Sequence, residues 1–192
     1  MPSETPPESP SDSPSETHLA ASHLYEIQLG VYATPDDAQR LVEACTRLLD
    51  ERAWPYRLSV AGPGQSTAPG GMPLTEFYDE LPQQWRIEHR GADPGARQVH
   101  EIRVGLLAPE EQRDDLRAEL TRVACPDPEH SSPCPVPWSA GYTEAAGESE
   151  DATEAGAGAD GEEGDGEDGV DGVDGDESGA YLEQQYGQLR RS

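Results

Sequence analysis

The chain contains no lysine, no asparagine and a single phenylalanine, so its 13 basic residues are all arginine. Without a lysine amine it has no P-loop lysine, no Schiff-base lysine and no pyridoxal anchor. The glycine-rich stretch 62–71 is therefore read as a flexible loop and not as a phosphate cradle. The 3 cysteines are an odd and sparse set, unlike the disulfide framework of a small secreted domain. Apolar runs stop at about five residues near Leu106, whereas a spanning helix needs roughly 18. The first residues carry no basic region followed by an apolar one. These absences predict a cytoplasmic protein with no membrane association. Neither Gly-x-Ser-x-Gly nor His-Glu-x-x-His occurs, and the resulting expectation is a non-enzymatic binding or adaptor protein, with an enzyme of unrecognised site as an alternative.

What the chain has is acid. Asp and Glu number 39 among 192 residues, for a net charge of -26. Residues 144–192 hold 16 of those acids against two arginines, so more than half of the net charge sits in the last quarter. A salt-adapted protein would spread acids over its folded surface, which makes an acidic tail the first explanation and salt adaptation the second. This balance repels phosphate backbones, excluding nucleic acid as a direct ligand, and favours a basic protein partner. Only 33% of residues are apolar, against roughly 45–50% in an average domain, so part of the chain builds no core. The Pro/Ser-rich residues 1–22 and the Gly-rich acidic residues 144–180 are expected to be disordered.

Between these arms the sequence repeats with an offset of 75. Tyr25–Ala33 aligns with His100–Ala108, and through residue 49 seven of 25 pairs are identical, among them Glu26/Glu101, Ile27/Ile102 and Gly30/Gly105. A duplicated strand–helix unit is the reading. Tyr25, Ile27, Leu29 and Val31 alternate with polar neighbours, as do Ile102, Val104 and Leu106, which is strand periodicity. Thr34, Pro35, Asp36 and Asp37 are the start signals of a helix. Its apolar stripe is Ala38, Leu41, Val42, Cys45, Leu48 and Leu49. A second helix opens at Pro109, Glu110 and Glu111, with Leu116, Leu120 and Val123 inward. Tyr56–Ala61 is a further strand, Trp85–Arg90 is expected to pair as a hairpin with the second repeat strand, and Val136–Trp138 is a short edge strand limited by proline. The fold class that follows is α+β, a ferredoxin-like antiparallel sheet over residues 23–143 with two helices on one face and the other face open.

Tyr25-Glu-Ile-Gln-Leu-Gly-Val-Tyr32, with Ala38 and Leu41 after it, resembles the first repeat of the SPOR (sporulation-related repeat) family. His100–Leu107 with Glu110 and Glu111 resembles the second. The resemblance implies a ferredoxin-like fold and binding of peptidoglycan strands on the sheet face, with Gln28, Tyr32 and Arg103 toward the glycan.

Independently of the resemblance, Glu26, Gln28, Tyr32 and Arg103 occupy the register opposite the core positions. They are the expected partner-binding face. Cys125, His130 and Cys134, spaced C-x4-H-x3-C, bring soft and borderline ligands suited to zinc. Asp127, Glu129 and Cys45 are candidates for a fourth ligand, and free thiols or a Cys125–Cys134 disulfide are the alternative. No other cofactor is expected. Trp54, Trp85 and Trp138 are read as core or rim, His100 as a core or rim histidine, and Asp171–Asp176 as solvated charge, since it lacks EF-hand spacing. Tyr181, Leu182, Tyr186 and Leu189 return at helical spacing after an apolar-poor stretch. They mark a recognition segment that gains order on a partner or, as the second option, on the sheet face of its own domain.

Overall fold

The computed structural model describes residues 21–52, 54–127, 129–144 and 175–191. All but the last two residues of the expected N-terminal arm, and residues 145–174 of the expected acidic linker, lie outside them. Strand β1 (His23–Ala33) leads through helix α1 (Pro35–Arg52) to β2 (Tyr56–Ala61). Two short helices, α2 (Leu74–Phe77) and α3 (Glu80–Glu88), precede β3 (Gln98–Ala108), α4 (Glu110–Ala124) and β4 (Trp138–Glu144). Helix α5 (Gly175–Tyr186) and a 3-10 turn (Gly187–Arg191) follow. The result is an α+β arrangement whose open sheet runs β2-β3-β1-β4, antiparallel at every pairing.

Period-two patterning selects the inner face. Ile27, Leu29 and Val31 of β1 and Ile102, Val104 and Leu106 of β3 meet Ala38, Cys45 and Leu49 of α1 and Leu116, Leu120 and Ala124 of α4 in one core. Burying each branched side chain stabilises by about 1.5–3 kcal/mol. Helix α1 begins where the start signals put it: the Asp37 N–H donates to Thr34 Oγ1 (3.2 Å), and the Thr34 hydroxyl donates back to the Asp37 carboxylate (2.6 Å). Burial pushes the Cys45 thiol up to about 11, as suits a core group.

An arginine completes the far edge of this core. Arg113 of α4 is only 2% exposed. Its guanidinium lies between the Tyr25 ring (4.9 Å) and the Tyr142 ring (4.0 Å). It donates to Glu144 (2.8 Å), Glu110 (3.1 Å) and Asp114 (3.1 Å). One side chain thus ties α4 to β1 and β4, and its charge is compensated on three sides.

Three expectations are corrected. Residues 85–90 are not a hairpin strand: Leu74, Tyr78, Leu81 and Trp85 bury together at helical spacing, while Ile87, which strand alternation would turn inward with Trp85, is 69% exposed. The last strand is an edge strand as expected, but it begins at Trp138 and runs to Glu144, pairing with Tyr25–Val31. The prolines act before it, where the Pro137 carbonyl accepts the Tyr32 N–H (2.9 Å). The second face of the sheet is not open, because α2 and α3 cover one end and α5 with its 3-10 turn covers the other.

His100 lies on the core-facing side of β3 opposite Val31, buried, with Nε2 lacking a hydrogen-bond partner among the described residues. Burial holds its imidazole below the ordinary histidine value. The unfolded chain therefore binds the proton first as pH falls below about 6.5. The contribution of His100 to stability is full above that pH and is lost on acidification toward its folded-state value. In thermal melts at pH 5 and pH 7.5, wild type should gain more stability with pH than His100→Leu, and equal gains would refute the assignment.

Candidate functional site

The face away from the α1/α4 core carries Leu24, Glu26, Gln28, Gly30 and Tyr32 of β1 beside Val99, Glu101, Arg103, Gly105 and Leu107 of β3. The expected register is therefore correct, and the expected exposure is not. Tyr32 is buried with Val99 and Ala61 beneath Leu74, Tyr78, Leu81 and Trp85, its ring edge-on to Trp85. At the other end Leu182, Tyr186 and Leu189 close over Leu24, with Leu107 and Tyr181 alongside. All four residues expected in the recognition segment are thus brought to the sheet of their own chain. The helix also begins at Gly175, six residues before the expected start.

Both covers use one device. Glu26 and Glu101 are 0% and 1% exposed, and each stands directly across the β1–β3 ladder from a glycine, Glu26 from Gly105 and Glu101 from Gly30. The Tyr78 ring lies on Gly30, where a Cβ would meet it at 2.3 Å, and its hydroxyl donates to Glu101 (2.7 Å). The Tyr186 ring lies on Gly105, where a Cβ would meet it at 2.1 Å, and its hydroxyl donates to Glu26. Tyr181 gives Glu26 a second donor (2.7 Å). Each tyrosine therefore spans one ladder pair, stacked on the glycine and bonded to the glutamate. Burial and then the facing glutamate push the hydroxyls of Tyr78, Tyr181 and Tyr186 well above the ordinary tyrosine range, so they remain donors.

The Gln28–Arg103 pair sits midway between the two devices. Arg103 bonds Glu101 through Nε and the Ser66 carbonyl through its terminal nitrogen (2.7 Å). Burial opposes its charge, but Glu101 and then Glu26 outweigh this and hold the guanidinium above its usual value. Gln28 donates to Glu26 (2.9 Å) and to Thr143 (3.0 Å). It also lines a cleft of about 170 Å³ with Ala68, Phe77, Glu101 and Ser178, between the two covers. Tyr78 was not singled out from sequence, although its spacing of four from Leu74 and seven from Trp85 on one helical face was available.

A second group forms where α4 gives way to β4. Cys125, His130 and Cys134 each place a ligand atom within 4.8 Å of the others, so the three can hold a metal ion. All three cysteines are free of disulfides. Cys45, one candidate fourth ligand, lies apart in the α1 core, and neither Asp127 nor Glu129 belongs to the group. The residue sequence reasoning missed is Glu88 of α3, which lines a separate cleft with Cys125, His130 and Cys134 and accepts the Cys134 N–H (2.9 Å). The hydrogen bond from Gln84, against burial, and then that from Cys134 hold the Glu88 carboxyl below its ordinary value.

No family model matches the chain. No curated protein matches it either. Among solved structures it is similar to a protein from Burkholderia cenocepacia provisionally designated an amidohydrolase/peptidase, at 14% identity and a TM-score of 0.30. The match covers 65% of this chain and 28% of that one. At that score the likeness carries no argument about fold or activity. No helix among the described residues is long and apolar enough to cross a membrane.

The two glycines give a selective test. Gly105→Ala drives a methyl into the Tyr186 ring and should release the C-terminal segment, lowering stability by about 1–3 kcal/mol while β1–β4 remain folded. Hydrogen exchange should then rise at residues 178–191 and stay low in β1 and β3. Protection unchanged over the segment would mean that the ring does not rest there. Tyr186→Phe should keep the stacking but cost about 1–3 kcal/mol, because it removes a donor from a buried carboxylate.

Proposed function

We propose that this chain is a non-enzymatic, cytoplasmic protein-binding module with a ferredoxin-like fold. Its recognition surface is the half of the sheet face now occupied by its own C-terminal segment. The observation carrying the proposal is that α5 and its 3-10 turn, separated from β4 by residues 145–174, occupy that face as a discrete segment. They hold it with Leu182, Tyr186 and Leu189 and two tyrosine hydroxyls on Glu26. A helix seated by a few anchors in a groove is a recurring form of peptide recognition. A partner with the same anchors, Tyr-Leu followed by Tyr and Leu at offsets of five and eight from the first tyrosine, would compete for the surface. Basic flanks on the partner suit a chain of net charge -26.

The strand order and the helices α1 and α4 on one face support the ferredoxin-like reading. A duplicated strand–helix unit accounts for the matched glycines and glutamates, since each ladder pair joins the glycine of one copy to the glutamate of the other. The SPOR-like reading puts a glycan on the same face, at Gln28, Tyr32 and Arg103. It requires α2 and α3 to move, because Tyr32 lies beneath Leu74, Leu81 and Trp85.

A chain lacking residues 175–192 and a synthetic peptide of that sequence separate the possibilities. The shortened chain should bind the peptide saturably. The full chain should bind it at least about tenfold more weakly, as expected if resident docking is worth 1.4 kcal/mol or more. The shortened chain should also melt lower than the full chain, since Leu24 and Leu107 lose their cover. Equal peptide binding by both chains, or none by either, would defeat the proposal. Sedimentation of the shortened chain with denuded peptidoglycan, without peptide binding, would replace the protein ligand with a glycan.

A further inference from the structure

The Cys125–Cys134 loop has the internal order of a metal site. Cys125 caps the end of α4, its N–H donating to the Thr121 carbonyl (2.9 Å), and its thiol faces the Asp127 carbonyl (3.3 Å). The Cys134 thiol faces the Val136 carbonyl (3.1 Å) just before β4. The turn between them is set by the Asp127 carbonyl accepting the His130 N–H (3.2 Å) and by the Asp127 carboxylate accepting the Glu129 N–H (3.1 Å). These bonds bring the two ends and the middle of a ten-residue stretch to one point.

The histidine is the deciding residue. Its Nδ1 lies 2.7 Å from the Ser132 carbonyl, an oxygen that only accepts, so in the neutral ring the Nδ1–H tautomer makes this bond and leaves the Nε2 lone pair for a cation. A ring nitrogen donating to a backbone carbonyl while the other is free for a cation is the usual outer arrangement of a metal-ligating histidine. Zn–S bonds near 2.3 Å and Zn–N bonds near 2.0–2.1 Å give tetrahedron edges of about 3.5–3.8 Å. Ligand atoms already within 4.8 Å of one another need close by only about 1 Å to reach those edges. Beside them a cleft of about 300 Å³, lined also by Gln84, Glu88 and Trp138, leaves room for a fourth ligand.

We infer that Cys125, His130 and Cys134 bind one zinc ion, with water as the fourth ligand on the cleft side and Glu88 positioning Cys134 through its backbone N–H. On binding, the two thiols release two protons to solvent and the two thiolates balance the dication, so no oxidant or reductant takes part. The ion would join the end of α4 to the start of β4, and through Glu88 to α3.

Cobalt is the probe. The full-length chain, reduced and stripped with chelator, should take up one equivalent of Co²⁺ with thiolate-to-metal charge-transfer absorption and tetrahedral ligand-field bands, and Zn²⁺ should displace it. Cys125→Ser, Cys134→Ser and His130→Ala should each abolish this spectrum while keeping the wild-type circular dichroism. His130→Ala alters only a half-buried turn residue and keeps the test informative if a cysteine variant fails to fold. Cys45→Ala should bind as wild type does. Glu88→Ala should bind the same single equivalent about 10–100-fold more weakly. An octahedral spectrum, no saturable uptake, or wild-type binding by Cys125→Ser would each overturn the inference.

Discussion

The organisation of this molecule depends on two carboxylates that the sheet holds out of water. Glu26 and Glu101 project from the central strands on the face away from the main core, and a buried carboxylate costs several kcal/mol unless it is paired and hydrogen-bonded. Arg103 supplies one positive charge for two carboxylates and the Gln28 amide one further donor to Glu26, and tyrosine hydroxyls complete the set. The covering layers are therefore chemically specified. A cover that brings a donor to Glu26 and another to Glu101 completes what Gln28 and Arg103 begin, and a purely apolar cover would leave buried carboxylate oxygens short of donors. A cover lacking the hydroxyl forfeits more than the bond itself, because the glutamate it leaves behind stays dry.

Glycine makes the donors fit. The Tyr78 and Tyr186 rings rest on the neighbouring strand as their hydroxyls reach the glutamates, because at Gly30 and Gly105 no Cβ intervenes. The antiparallel ladder then places each glycine opposite the glutamate of the other strand. Two short sequence features, Glu-Ile-x-Leu-Gly and Glu-Ile-x-Val-Gly, thus pair through the register to seat two tyrosines of the same chain.

Much of this was legible in the sequence because its causes are local. The Thr34 cap, the α1 and α4 stripes and the register of β1 and β3 follow from periodicity and from the first helical turn. What escaped had non-local causes. Trp85–Arg90 alternates like a strand, yet Trp85 is drawn into a helical set by Leu74, Tyr78 and Leu81 and by the hydrophobic end of the sheet at Tyr32 and Val99. Arg113 looks like a surface residue on a polar helix, and only the rings of Tyr25 and Tyr142 explain its burial. The open face was inferred from four strands and two helices, and the elements that close it come from an insertion and from the far end of the chain. Cys125, His130 and Cys134 were recognisable by spacing, whereas Glu88, 46 positions before Cys134, was not.

The separation of α5 from the last strand also has a consequence in time. The sheet has all of its strands once residue 144 has been made, but the tyrosines that complete Glu26 arrive roughly 40 residues later in the sequence. At synthesis rates of about 5–20 residues per second, that interval lasts roughly 2–8 seconds. For those seconds the nascent domain is whole except for its own latch, and the surface that the finished protein keeps to itself is available to whatever is near the ribosome.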